Sequence, residues 1–236
     1  MQVSAVLSPI FTGGEDILQT FLDTKTVLRN GDILAISSKI IALSQNRMLN
    51  IKDYGNNEKE ALEEIIKIEA DKIYPGKYTF TMKDGMLIPF AGIDSSNVPE
   101  GKLLLWPKNS YSFAKDLHTK LCEYFKIQDL GIIITDSRCQ PLRWGVIGLS
   151  MVWYGFCGVE DVRGQKDLFG RSLEVTRKAV ADNLASAAIL VQGEGDECTP
   201  FAHIQNAPID FSRKDDFLEL GKVDPEEDIF KSVLNL

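Results

Sequence analysis

The residues of this chain best suited to chemistry carry oxygen and fall into four separated clusters. Ala91-Gly92-Ile93-Asp94-Ser95-Ser96-Asn97-Val98 puts a carboxylate, two hydroxyls and an amide into one turn. Such a turn offers several oxygen ligands, although Asx and Ser side chains also favour turns for local hydrogen-bonding reasons alone. Thr135-Asp136-Ser137 follows the apolar run Ile132-Ile133-Ile134. A carboxylate and a hydroxyl at the C-terminal end of a buried strand sit where open sheets place ligands. Their hard oxygens suit Mg2+ or Mn2+ beside phosphate; a cap on the next element would explain the same residues as well.

The third cluster, Asp161-Val162-Arg163-Gly164-Gln165-Lys166-Asp167-Leu168-Phe169-Gly170-Arg171, packs two acids and three bases into eleven residues. Arg163, Lys166 and Arg171 could meet phosphate or carboxylate, Arg with bidentate geometry. A solvated loop whose charges pair among themselves is the plainer alternative. The fourth is Gln192-Gly193-Glu194-Gly195-Asp196-Glu197. Gly193 is the glycine expected after a helix C-terminus, whereas acids there oppose the helix dipole. A bound metal would give Glu194 and Asp196 a reason to stand there.

Several familiar devices are missing. No GxxxxGK[ST] loop and no GxGxxG after a strand is found, so a nucleotide must be held in another way. His118 falls near the apolar side of its helix, His203 is isolated, and no Ser-His-Asp or Cys-His set can be assembled. Cys139 lies near Asp136 without an evident base.

The elements that must position these residues can be read from periodicity. Helices are expected over Glu15 to Thr24, Glu58 to Ile73, Tyr111 to Phe125 and, longest of all, Arg171 to Val191. Strands are expected near the N-terminus, at 33–36, at 103–106 and at 130–134, with a hairpin from Tyr78 to Ile88 turning at Asp84-Gly85. Asp224-Pro225-Glu226-Glu227-Asp228 reads as the start of a final helix. The fold class is mixed α/β (α+β), without the strict alternation of a Rossmann sheet and without a P-loop.

Composition bounds the remaining choices. A chain of 236 residues can bury a large core as one domain or two small ones. A net charge of −8 argues against a general nucleic-acid binder. No apolar run approaches the roughly 18 residues of a membrane span, and the first residues do not resemble a secretory signal. Cys122, Cys139, Cys157 and Cys198 form no CxxC pair, and with two histidines a zinc site is not expected. Thiols in a reducing cytoplasm are the simplest reading.

Taken in order, the clusters resemble the coenzyme F420-0:γ-glutamyl ligase family. The markers are Gly31-Asp32-Ile33-Leu34 with Ser38, then Ala91 to Val98, and then Ile133-Ile134-Thr135-Asp136-Ser137. Arg163 to Arg171, Val180-Ala181-Asp182 and the final Gly193-Glu194-Gly195 complete the series, which runs from about Gly31 to about Gly195. Each marker is weak alone; their order and spacing are specific.

The resemblance implies one domain over residues 1–236 with the family's own α/β fold, two intertwined subdomains being a variant of it, and a homodimer. It implies a cytoplasmic ligase that uses GTP and Mg2+ or Mn2+, with K+ as a further candidate, to join L-glutamate to a cofactor carboxylate through an acyl phosphate. By matching position, Asp94, Asp136, Ser137 and Glu194 would hold metal, with Arg143 joining Asp94 and Asp136 as catalytic. Ser8, Pro9, Ile10, Phe11, Ser38, Lys39, Asn97, Gly193 and Gly195 would meet the nucleotide. The chain departs from the family at Cys139 and Gln140, where Gly-Arg is usual, at Trp144, and at Leu43, where a phosphate-contacting lysine is usual. These departures turn the expected acceptor toward folate or another cofactor as an alternative to F420-0. A catalytically silent GTP- and metal-binding protein on the same scaffold is the rival of a different class, and a dimerisation module without ligands is a third.

Overall fold

The computed structural model describes residues 1–212 and 215–234. Its centre is a five-stranded sheet in the order Gln2–Val6, Phe201–Gln205, Asp32–Ser37, Leu130–Cys139, Val146–Tyr154. Neighbours are antiparallel except for Asp32–Ser37 and Leu130–Cys139, which run parallel. The fully buried runs Ile33 to Ile36 and Ile132 to Ile134 explain this arrangement, because a parallel pair is covered on both faces and reads as continuous apolar sequence. Helices Ser110–Phe125 and Val180–Gln192 pack on the sheet. A smaller apolar cluster of Ala61, Ile65, Leu103 and Leu105 lies under helix Glu58–Glu69.

The expected hairpin forms from Phe80–Lys83 and Met86–Pro89 around Asp84-Gly85. The expected helix from Arg171 is shorter at its start: residues 177–179 pair as a strand with Val159–Asp161, and the helix begins at Val180. Leu173 fits the helical spacing by coincidence, since its backbone bonds to Gly164 and Gln165 in a loop. Ser110–Phe125, at 16 residues, is longer than Val180–Gln192, at 13. The helix expected through Ile73 ends at Glu69, and Lys72–Tyr74 is a strand. At Asp224 the cap forms, its carboxylate accepting the Glu226 amide, but only a turn follows; helix resumes at Lys231–Leu234.

Among the described residues, no helix is long and apolar enough to cross a membrane. His203 is paired: its Nε2 lies 2.6 Å from Asp32 Oδ2 in the core, where Asp32 also accepts the Arg29 amide. Asp32 opens its strand and Lys39 follows the opposite end, so this buried pair serves the sheet and not the site described next.

Candidate functional site

Strands Asp32–Ser37 and Leu130–Cys139 run side by side, and their C-terminal ends open onto one cleft. Its volume is about 280 Å3. The pairing between Leu130–Cys139 and Val146–Tyr154 shifts register between Ile134 and Thr135, leaving Met151 without a counterpart. Such a bulge increases local twist and re-aims side chains. Here it falls immediately before Thr135-Asp136-Ser137, where the strand leaves the apolar core and reaches the cleft.

The first strand turns directly into helix Ser38–Ser44, which brings Lys39 to the same cleft. Lys39 Nζ is 2.7 Å from Asp94 Oδ2 and donates to Ser96 Oγ at 2.7 Å. Asp94 is held by reciprocal backbone bonds to Leu104 of 2.9 and 2.8 Å. The chain reaches it through a sharp turn in which Phe90, Ala91 and Gly92 all have positive φ. A Cβ at Gly92 would fall 2.0 Å from the Trp106 ring, so glycine is required there for the approach. The Ser96 amide donates to Asp94 Oδ1 at 2.7 Å, which closes the turn as an Asx motif.

Opposite this turn stands the segment after helix Val180–Gln192. Gly193 ends the helix with φ of 76°, and a Cβ on it would meet the Glu197 carboxylate at 2.2 Å. Asn97 Nδ2 donates to the Gly195 carbonyl at 2.9 Å, tying the Asp94 turn to this segment across the cleft. Gln192 is buried and joins three elements. It accepts from Thr135 Oγ1 at 3.1 Å, donates to the Pro200 carbonyl at 2.8 Å, and its own carbonyl accepts Thr199 Oγ1 at 2.7 Å.

Electrostatically the two aspartates differ. Burial raises the Asp136 carboxyl to about 6, and the neighbouring Asp94 and Glu194 charges push the same way against the Ser137 amide and Lys39. At Asp94 burial also pulls upward, but the hydrogen bonds from Lys39 and the Ser96 amide, with the Lys39 charge, outweigh it and leave the group below its ordinary value. A strongly shifted acid in a cleft marks a functional candidate, although ion-pair networks can do the same.

Of the residues named from sequence, Ser8, Pro9, Ile10, Phe11, Lys39, Asn97, Asp136, Ser137, Gly193, Glu194 and Gly195 line the cleft. Asp94 adjoins it through Lys39. Ser38 is buried in the first turn of its helix and its neighbours Ser37 and Lys39 line the cleft instead. Arg143 lies in the exposed turn between Leu130–Cys139 and Val146–Tyr154, outside the cleft. The charged segment 161–171 also stays outside, pairing internally: Arg163 Nε bonds Asp161 Oδ1 at 2.9 Å and Lys166 Nζ bonds Ser172 Oγ at 2.7 Å. Sequence reasoning missed Gln192 as a clamp, the Thr199-Pro200 contact, and the apolar wall of Ile40, Leu104 and Ile189. Only the position of Gln192 at the end of a long helix hinted at the first.

Among the described residues, no three His, Cys, Asp or Glu side chains stand together as a ready metal cage. The donor set nevertheless fits Mg2+ or Mn2+, which bind through one or two carboxylates plus substrate phosphates more often than in all-protein cages. Asp136, Ser137 and Glu194 bring hard oxygens to the cleft lining, and Asp94 provides another beside Lys39.

Comparison with known proteins bears on this geometry. The family model described as F420-0:Gamma-glutamyl ligase matches residues 6–206. A coenzyme F420:L-glutamate ligase of Methanocaldococcus jannaschii is 32% identical over 98% of this chain and 97% of that protein. Proteins of the same name from Methanococcus maripaludis and Haloarcula marismortui are each 31% identical, over 98% and 99% of this chain and 97% of each relative.

Proposed function

Because the chain belongs to the F420-0:γ-glutamyl ligase family, we propose that it uses GTP to join L-glutamate in amide linkage to the free carboxylate of coenzyme F420-0. The observation that carries this reading is the meeting of Asp136, Lys39 with Asp94, and Glu194 at the C-terminal ends of two parallel strands. The names of the relatives that match nearly end to end support the acceptor.

A carboxylate is a poor electrophile, so its oxygen first attacks the γ-phosphorus of GTP, the bond to the β-phosphate oxygen breaks, and GDP leaves. The glutamate amine then attacks the acyl carbon; the carbon–oxygen bond to phosphate breaks, phosphate leaves, and the amine proton goes to solvent or a carboxylate. Two anions meet in the first step, and Lys39 lowers that repulsion on one side. Asp94, Asp136, Ser137 and Glu194 would hold Mg2+ or Mn2+, which supplies further charge neutralisation when bound. Asn97, with Gly193 and Gly195, would close over the nucleotide, and Ser8 to Phe11 would form its apolar floor.

Leu43 is an apolar lining residue of this cleft, which keeps a folate acceptor as the second reading. The working form is a homodimer. Leu142 and Trp144 at one exposed turn and Leu168 and Phe169 at another are almost wholly uncovered, and aromatic side chains so exposed call for a partner surface. Among the described residues no cysteine forms a disulfide, in keeping with a reducing cytoplasm. Incorporation of labelled glutamate into F420-0 in the presence of GTP and Mn2+ tests the reading; incorporation that does not depend on nucleotide would refute it.

A further inference from the structure

The charge balance of the cleft leaves a substrate anion short of partners. Among the described residues, Asp136, Glu194, Asp196 and Glu197 line it, while Lys39 is its one lining Lys or Arg. Lys39 is already engaged by Asp94 at 2.7 Å. GTP, glutamate and a carboxylate acceptor are all anions, so such a wall repels each of them except where a bound divalent ion or a further side-chain cation lies close.

Arg138 meets that need. It stands two residues beyond Asp136 on strand Leu130–Cys139, in the stretch where pairing is regular: Asp136 faces Leu149 and Arg138 faces Ile147. Residues two apart on a strand share one face and lie about 7 Å from each other. Arg138 is outside the cleft lining in this structure, but an extended arginine stem is long enough to span that distance and bring the guanidinium beside Asp136. Among the described residues, Arg138 Nε is buried and has no hydrogen-bond partner. Buried polar groups are nearly always bonded, and a guanidinium offers donors in a fixed fork that matches carboxylate or phosphate oxygens. Arg47 is committed to Glu69, and Arg163 and Arg177 to Asp161.

We propose that Arg138 is an oxyanion-binding residue at the mouth of the cleft, holding a carboxylate or phosphate of a bound substrate beside Asp136. The identity of that substrate rests on the ligase reading; the anion binding itself does not. Held in this way, a ligand carboxylate would be oriented by the strand that also presents Asp136, with no need for a cation at Leu43.

Two measurements on wild type, Arg138→Ala and Arg138→Lys test this. Isothermal titration with glutarate and with inorganic tripolyphosphate reads anion binding without turnover. Arg138→Ala is expected to weaken at least one probe about tenfold or more, with Arg138→Lys intermediate. Glutarate dependence assigns the anion to a carboxylate, tripolyphosphate dependence to the nucleotide. Steady-state kinetics then separates the substrates: KM for one of acceptor, glutamate or GTP rises about tenfold, while the other two stay within about twofold. Wild-type protein that binds neither probe, variants that bind like wild type, or an equal rise in all three KM values with a lowered Tm would overturn the proposal. Arg138-dependent probe binding in a protein that forms no glutamyl product would instead overturn the ligase reading and leave Arg138 standing.

Discussion

Lys39 Nζ lies 2.7 Å from Asp94 Oδ2 and 2.7 Å from Ser96 Oγ, so a single cation joins the helix after one core strand to the turn at 94–96. Neither side chain is far from solvent: Lys39 is 28% and Asp94 35% exposed. The pair therefore contributes less to folding than to the field in the cleft. Lys39→Met should lower stability by less than about 1 kcal/mol and lower kcat by about a hundredfold or more. Thermal melts and single-substrate kinetics check both; near-normal turnover in Lys39→Met would remove Lys39 from the chemistry.

Asp136 makes a pH dependence. Burial first, then the Asp94 and Glu194 charges, raise its carboxyl to about 6 from an ordinary 3.8. The folded state thus binds this proton more tightly than the unfolded chain, and stability is gained as pH falls from about 6 toward 4. Above about 6 the cost of the buried charge is fully present, at most about 3 kcal/mol for a shift near two units. Metal-free Asp136→Asn should accordingly melt above wild type at pH 7 to 8 and converge with it below pH 4. Divalent-ion affinity of the wild type should fall as pH drops through about 6, since the ion competes with that proton. Melts across pH and Mn2+ titrations measure the two effects.

Gln192 holds the strand of Asp136 to the segment carrying Glu194, through Thr135 and Pro200. Gln192→Ala leaves the Pro200 carbonyl without this donor and opens a gap in a buried site. A loss of about 1–3 kcal/mol in stability is expected, together with weaker nucleotide binding because Gly193 and Gly195 lose their anchor. Chemical denaturation and GTP titration test it; a stable variant with normal GTP affinity would show that the clamp is dispensable.

Leu142 and Trp144 are fully exposed in one turn, and Leu168 and Phe169 nearly so in another. If a second copy covers them, Trp144→Glu with Phe169→Glu should shift the protein to monomer in sedimentation equilibrium. A wild-type monomer at micromolar concentration would contradict the dimer.

The two central strands were legible because Ile33 to Ile36 and Ile132 to Ile134 are unbroken apolar runs, although their parallel pairing was not read, and the two aspartates stood out by their places in a turn and after a strand. The strands Val146–Tyr154 and Phe201–Gln205 gave no comparable signal, since mixed residues such as Gly148, Ser150 and His203 interrupt their periodicity. Arg171 to Ala179 misled because Leu173 fell on a helical spacing that the chain uses only from Val180. Lys39, by contrast, was placed by likeness alone: its bond to Asp94 joins residues 55 apart, a long-range contact that local pattern cannot encode. The register shift before Thr135 is equally hidden, because it depends on which residue of the partner strand is left out.

The most direct test offers F420-0 and a folate in separate reactions with GTP, Mn2+ and L-glutamate, reads the products by mass spectrometry, and repeats both with Asp136→Ala. On the ligase reading, a gain of glutamyl mass on F420-0 that disappears in the variant is expected. Tight metal-dependent GTP binding without a glutamyl product on either acceptor would contradict it.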